Sequence, residues 1–301
     1  MKILKKLFFE GYWECFYRKR QEDNQNINQW KKVRIDRRYW CADPFLFSYK
    51  GQEYIFCEVM DRKKSYGMLG CGKIIEDGVT KISVIKDIGC HTSYPNIFCW
   101  NGNVYMIPET VERHSIELYQ CADFPTKWFR IAVLKENVNA VDTTVYITDT
   151  GIKLFIYEVE KDAYVLKIGD LDLKEKTIRN INNIYRYNQK IGRPAGNIIL
   201  NDNQHIRPTQ YGVNFYGEKI IFKRFSLNYT ADGLQYEEEN ISEKTVFDIE
   251  PAAKKKFKGT HTYNIDSGYE IMDCYKKKFY IERPFQLLMK KFNLGGYGFH
   301  G

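Results

Sequence analysis

Apolar and polar positions alternate along most of this chain, in paired runs joined by tight-turn residues. "ADPFLFSYKGQEYIFCEV", from Ala42 to Val59, has Lys50-Gly51 between its two halves. The plan returns in "TSYPNIFCWNGNVYMIPET", which turns at Asn101-Gly102, and in "VDTTVYITDTGIKLFIYEVE", which turns at Thr150-Gly151. A period of two marks half-buried strands, and Asn-Gly or a related pair between two such runs marks a hairpin. Looser copies follow in "RPAGNIILNDNQHIRPTQ" and "HTYNIDSGYEIMDCY". The copies open at about 43, 94, 142, 194 and 261, a spacing close to one four-stranded propeller blade. Between them lie "KISVIKDI", "SIELYQC", "YVLKIGDLDL" and "KIIFKRFSL", which would supply the outer strands. Helical periodicity is nearly absent until "ERPFQLLMKKFN", which reads as a short basic amphipathic helix. The pattern predicts an all-β fold, a five-bladed β-propeller over residues 30–279. Short helical or irregular extensions flank it, an N-terminal one over 1–29 and a basic amphipathic tail over 280–301.

In a propeller the innermost strands line a central channel and their starts meet at one mouth, so polar openings far apart in sequence converge. Asp43 opens the first copy, ahead of Pro44. A turn explains one Asp-Pro pair but not a polar opening in every copy. Asp142 in "VDTT" reads equally as a site carboxylate or a local cap. Glu58 and Glu109 close second strands rich in Tyr, Phe, Ile and Met, where a charge is paired or faces solvent. His91, Ser93 and Tyr94 in "HTSYP" offer hydrogen bonds to a sugar or phosphate, or serve the structure alone. Arg193 and Arg207 each precede a proline, with Gly196, Asn197 and Gln210 nearby. Arg suits bidentate capture of phosphate or carboxylate; the rival reading is buried structural salt bridges. His261, Tyr263 and Asn264 repeat the polar theme in "GTHTYN".

Net charge is +8 over 301 residues, which points to an anionic partner or to a Lys-rich solvated surface. Basic and aromatic residues interleave at the strand period, which favours core packing over nucleic-acid binding. No P-loop, GxGxxG or HExxH occurs. No cofactor and no metal cluster is expected, although a divalent cation on Asp43 or Asp142 would leave no trace in sequence. The eight cysteines form no CxxC pair, unlike a zinc site, and suit a reducing compartment. The longest apolar run near the start, Leu7 to Phe9, is far short of a signal core or a membrane span. With its basic neighbours it suits the surface of an anionic membrane. The expectation is a cytoplasmic protein at the inner face of the membrane.

"ADPFLF", "YIFCEV", "HTSYP", "YMIPET", "VDTT", "RPAGN" and "HTYN" occur in an order that resembles the N-terminal domain of plant glucosamine inositolphosphorylceramide transferase and its stand-alone bacterial relatives. The resemblance runs from about Trp30 to Phe279. Tyr211 follows Gln210 where the family pattern carries an acidic residue. More distantly the chain is similar to five-bladed arabinanases, β-xylosidases and invertases, whose first-blade and third-blade aspartates fall at Asp43 and Asp142. Their fourth-blade acid has no counterpart, because Arg193 stands there. An arginine suits a phosphorylated leaving group. The resemblance therefore implies a glycosyltransferase of bacterial surface-polysaccharide biosynthesis. It would move sugar from a nucleotide-, phosphate- or lipid-linked donor to a glycan acceptor. Asp43 would be the base, with Asp142 and Glu109 as further catalytic carboxyls. Arg193 and Arg207 would hold the donor's anion. Glu58, His91, Ser93, Tyr94, Asn197, Gln210, His261, Tyr263 and Asn264 would contact substrate. The alternatives are a glycoside hydrolase, which needs a protonated carboxyl opposite a second carboxylate, and a non-catalytic glycan-binding module. If Asp43, Asp142 and Arg193 did not share one mouth, both enzymatic readings would fall.

Overall fold

The structure, a computed structural model, describes residues 9–20, 30–62, 64, 66–76, 78–201, 204–231, 233–245, 257–266 and 268–279. Five antiparallel sheets follow one another as the blades of a propeller. β1 (Phe9–Lys19) and β2 (Lys31–Lys32) come first in sequence but belong to the last blade. Blade one is β3 (Tyr39–Tyr49), β4 (Gln52–Asp61) and β5 (Gly67–Ile75), edged by β6 (Gly78–Val79) and β7 (Ser83–Lys86). Blade two is β8 (Ser93–Trp100), β9 (Asn103–Glu109), β10 (Ser115–Asp123) and β11 (Lys127–Glu136). Blade three is β12 (Ala140–Thr148), β13 (Gly151–Val159), β14 (Tyr164–Asp172) and β15 (Thr177–Tyr187). Blade four splits its inner strand into β16 (Ile191–Pro194) and β17 (Ile199–Asn201), followed by β18 (Gln204–Tyr211), β19 (Lys219–Thr230) and β20 (Gly233–Lys244). Blade five orders as β2, β1, β22 (Tyr269–Phe279) and β21 (Tyr263–Asp266).

The predicted hairpins have the expected chemistry. Lys50 and Gly51, and Asn101 and Gly102, all take positive φ, as a two-residue turn between right-twisted strands requires. The runs expected as outer strands become β7, β10, β14 and β19. The N-terminal extension drawn over 1–29 is different. Phe9–Lys19 pairs with Phe279–Tyr269 along its whole length, so the ring is closed by a strand from each end of the chain. Pairing of this kind has no local sequence signal. The helix expected near the C-terminus lies outside the described residues; among the described residues the only helix is the 3-10 turn Val111–Arg113. No helix among the described residues is long and apolar enough to cross a membrane.

Alternate faces of each strand bury apolar side chains between neighbouring blades, and the core is five such layers. Phe45, Phe56 and Leu69 of blade one meet Tyr94, Met106 and Tyr119 of blade two. Ile107 and Leu118 meet Val145 and Leu154, Phe155 meets Phe225, and Phe222 meets Tyr263 and Met272. Cys15 and Ile271 of blade five close the circle on Cys41, Leu46 and Ile55. Each large side chain buried this way stabilises the fold by about 1.5–3 kcal/mol.

Candidate functional site

Asp43 does not open its strand, as the sequence suggested. β3 begins at Tyr39, and Asp43 sits in a bulge between the pairs Ala42–Glu58 and Phe45–Phe56. Its φ is 45°. Tyr94 (φ 45°) and Asp142 (φ 49°) occupy the same bulge in blades two and three. A left-handed residue other than glycine costs about 1–2 kcal/mol. Three blades meet that cost at the same station, and the bulge re-aims the side chain toward the axis. The second strands bring a second ring of groups to this level. Glu58 pairs with Ala42, Glu109 with Ser93, Tyr157 with Val141 and Gln210 with Arg193. Asp273 joins them, donating its N–H to the Thr262 carbonyl.

The resulting chamber has two ion-paired sides. On one, His261 lies between two carboxylates, with Nε2 3.2 Å from Asp43 Oδ1 and Nδ1 2.7 Å from Asp273 Oδ2. Thr262 Oγ1 donates to Asp43 Oδ1 at 2.7 Å. Asp273 also accepts the backbone N–H groups of Asp43, His261 and Thr262. Burial alone would lower the His261 pKa, but the charges of Asp273 and Asp43 outweigh it and lift it to about 10. Burial alone would raise Asp43. The His261 charge, the hydrogen bonds from His261 and Thr262 and the field of Arg193 hold it at about 2. The ligand atoms of these three side chains lie within 4.8 Å of one another, close enough for a cation. Both ring nitrogens already face carboxylates, so a metal would have to displace a proton.

On the other side Arg193 grips Asp142 through Nε and Nη2, and Nη2 also reaches Glu109 Oε2 at 3.0 Å. Gln210 Nε2 donates to Asp142 Oδ2 at 2.8 Å. Two buried carboxyls compete for one guanidinium. Burial and the neighbouring Asp142 raise the Glu109 carboxyl well above its ordinary range, against the pull of Arg193.

Glu58 stands between these sides, buried, and its Oε1 has no hydrogen-bond partner. Burial is the main cause that raises its carboxyl, and the charge of Asp43 adds to it. His91 Nδ1 accepts the Gly67 N–H at 3.0 Å, which places the ring proton on Nε2, 3.7 Å from Glu58 Oε1. Desolvation lowers the His91 pKa, so the ring is neutral. A Cβ at Gly67 would collide with Glu58 Oε1. Asp43, Asp142 and Arg193 thus share one mouth, the condition both enzymatic readings required.

Other sequence candidates lie elsewhere. Arg207 is buried outside the chamber, between blades three and four, bonded to Glu238 and the Gly192 carbonyl and facing the Phe155 ring. It cannot hold a donor's anion, and the salt-bridge reading applies. Tyr94 crosses the axis. Its hydroxyl meets Thr144 and accepts the Gly196 N–H. Asn96, Asn197 and Asn264 extend this lock to Val145 and to the Pro44 carbonyl. Gly196 (φ 138°) is required there, since a Cβ would strike the Tyr263 carbonyl. Tyr94, Asn197 and Asn264 therefore tie blades together, and the Tyr263 hydroxyl is spent on Glu270. Ser93 is buried in the wall. Three mouth residues were missed. Trp13 stacks on His261 with centroids 4.0 Å apart. Tyr216, 47% exposed, stands edge-on to His261 and under Arg193. Asp273 closes the fifth copy as Glu58 and Glu109 close theirs, and that parallel was its only signal.

Residues 37–269 match the family described as glucosamine inositolphosphorylceramide transferase 1, N-terminal. The chain belongs to this family. Relatives include glucosamine inositolphosphorylceramide transferase 1 of Arabidopsis thaliana, 30% identical over 190 residues, and that of Oryza sativa subsp. indica, 26% identical over 188 residues. Each alignment covers 60% of this chain but only 24% and 25% of those proteins. The chain spans about a quarter of the length of the curated relatives it matches. Among solved structures it is similar to a thermostable family-43 glycoside hydrolase, with TM-score 0.57, 8% identity and coverage of 81% of this chain and 91% of that one. A family 117 glycoside hydrolase from the marine bacterium Zobellia galactanivorans gives TM-score 0.52, 12% identity and 92% coverage of both chains. An RS223 β-xylosidase gives TM-score 0.53, 10% identity and coverage of 80% and 92%. At these identities the likeness is one of fold.

Proposed function

We propose that the chamber is a glycosyl-transfer site. The observation that carries this reading is Glu58, a buried carboxyl with an unpartnered oxygen, set between two carboxyls that are each engaged in an ion pair. Converging carboxylates and a glutamine suit the hydroxyls of a sugar, and the exposed face of Tyr216 suits its apolar side. Asp43, held at about 2, is too weak a base to take a hydroxyl proton near neutrality. Glu58, raised by burial, is better matched. In the transfer, the bond from the anomeric carbon to the donor's leaving oxygen breaks and its electron pair departs with that oxygen. The acceptor hydroxyl bonds to the anomeric carbon, and its proton passes to Glu58. Asp142, Arg193 and Gln210 orient the sugar, and His91 keeps a neutral N–H toward Glu58. Burial biases Glu109 toward its protonated form beside Asp142. The relatives' name, a glucosamine transferase, supports transfer over hydrolysis. Surface-polysaccharide assembly at the inner face of the membrane is the setting we propose for it.

The test is a turnover screen with nucleotide sugars, phosphoribosyl diphosphate and polyprenyl-linked sugars, with aryl glycosides as hydrolase probes and Glu58→Gln as control. Transfer from a phosphorylated donor, lost in the variant, is expected. Aryl-glycoside cleavage would make the protein a hydrolase. A folded protein that binds glycan and turns over nothing would make it a binding module.

A further inference from the structure

The chamber is a poor place for a phosphate. Five carboxyls, Asp43, Glu58, Glu109, Asp142 and Asp273, crowd around two cations there, and both cations are already engaged. Arg207, the other arginine expected to hold an anion, is sealed in the core. A phosphorylated leaving group needs cations that are near this mouth and not already neutralised.

They occur between the last and first blades, around a groove of about 1160 Å³. Trp13 forms part of its wall and also stacks on His261, and Cys41, two residues before Asp43, forms another part. Groove and chamber therefore share a partition. β2 and the connection that leads from it into β3 present Lys31, Arg34 and Arg37 along it, all exposed. Among the described residues these three make no ion pair. Among the described residues the acids lining the groove are already taken: Glu14 meets Lys32 at 2.5 Å, and Asp36 meets Lys81 at 2.8 Å. Tyr12, Tyr17, Tyr39 and Trp40 line the same groove. Like charges around a concave surface repel one another and add nothing to the fold. They focus a field that attracts an anion, and guanidinium groups match the paired oxygens of a phosphate.

We propose that this groove binds the phosphate or diphosphate ester of the donor while the sugar lies in the chamber. The placement of the sugar rests on the glycosyl-transfer reading; the phosphate site does not. Its aromatic wall accepts either a nucleobase or the first carbons of a lipid chain, so the shared chemistry is the phosphate ester.

The test uses the full chain, the surface double variant R34E/R37E, and E58Q. Inorganic pyrophosphate and uridine diphosphate are titrated by calorimetry. Vesicles of phosphatidylglycerol in phosphatidylcholine are tested by co-sedimentation. At least one probe is expected to bind the wild type and E58Q alike, at least about tenfold more weakly to R34E/R37E, and more weakly in high salt. Tighter binding of uridine diphosphate than of pyrophosphate identifies a nucleotide source, and binding to vesicles alone identifies a lipid headgroup. Equal binding to wild type and R34E/R37E, or no binding of any probe, overturns the groove. Groove-dependent binding with no sugar transferred from any donor leaves the groove standing and removes the transfer reading.

Discussion

Asp43 and Glu58 lie in the same blade, on paired strands, and face the same chamber, yet they hold protons in opposite ways. Both are buried, and burial raises both. Asp43 has a protonated histidine and a threonine hydroxyl within hydrogen-bonding distance, and its carboxyl is pulled down. Glu58 has a neutral histidine just beyond that distance and the Asp43 charge nearby, and its carboxyl is pushed up. Environment alone sets two carboxyls of one chamber apart. Sequence position singled out Asp43 as the base, and its lowered carboxyl is why the proposed transfer uses Glu58 instead.

The largest expected break in this contrast is Asp273→Ala. It strands the His261 charge and leaves three buried N–H groups unpaired. Unfolding in urea should show a loss of about 3–5 kcal/mol. A loss below about 1 kcal/mol would mean that His261 is not charged.

Glu58→Gln should separate activity from stability. Turnover should fall at least about 100-fold, while the denaturation midpoint holds or rises because a raised carboxyl is a burden on the fold. Unchanged turnover would end the role given to Glu58.

The two carboxyls also predict opposite pH trends. The Asp43 contribution is present above its ordinary 3.8 and lost as pH falls toward about 2. That of His261 is present below its ordinary 6.5 and lost as pH rises through about 10. Glu58 favours the fold while protonated, so its contribution is full below 4.5 and lost as pH rises through its raised value. Relative to wild type, Glu58→Gln should therefore gain stability as pH rises above 4.5. The slope should reach at most about 1.4 kcal/mol per pH unit. Asp43→Asn should differ from wild type least at pH 2. Urea midpoints across pH would check both trends, and parallel curves would contradict them.

Gly67→Ala is the mildest change. The new methyl displaces Glu58 without altering any charge. It should lower turnover about tenfold while stability shifts by about 1 kcal/mol. A crystal structure of the variant with Glu58 unmoved would show that the contact can be absorbed.

The blades were legible because their signals are local. Lys50-Gly51 and Asn101-Gly102 each fix a hairpin within a few residues. The chamber was legible only in part. Asp43, Asp142, Arg193 and Gln210 converge as the repeat implied, but polar residue type does not say which way a side chain faces. Tyr94, Asn197 and Asn264 look like ligand groups in sequence and instead satisfy one another, Asn96 and the backbone across the axis. Arg207 resembles Arg193 in sequence, each before a proline. Only packing shows that one is spent on Glu238 and the other faces the mouth. Trp13 was missed because its blade partner, Tyr275, is far off in sequence.

That distant pairing also sets a timetable. Trp13 leaves the ribosome first, and His261 and Asp273 are among the last parts of the chamber to follow. Contacts this remote form slowly, and chains fold from the N-terminal side as they are made. Until β22 arrives, β1 has only the two-residue β2 beside it and His261 lacks the Asp273 carboxylate. A nascent chain can therefore carry four finished blades and no site, so that the site itself reports a closed ring.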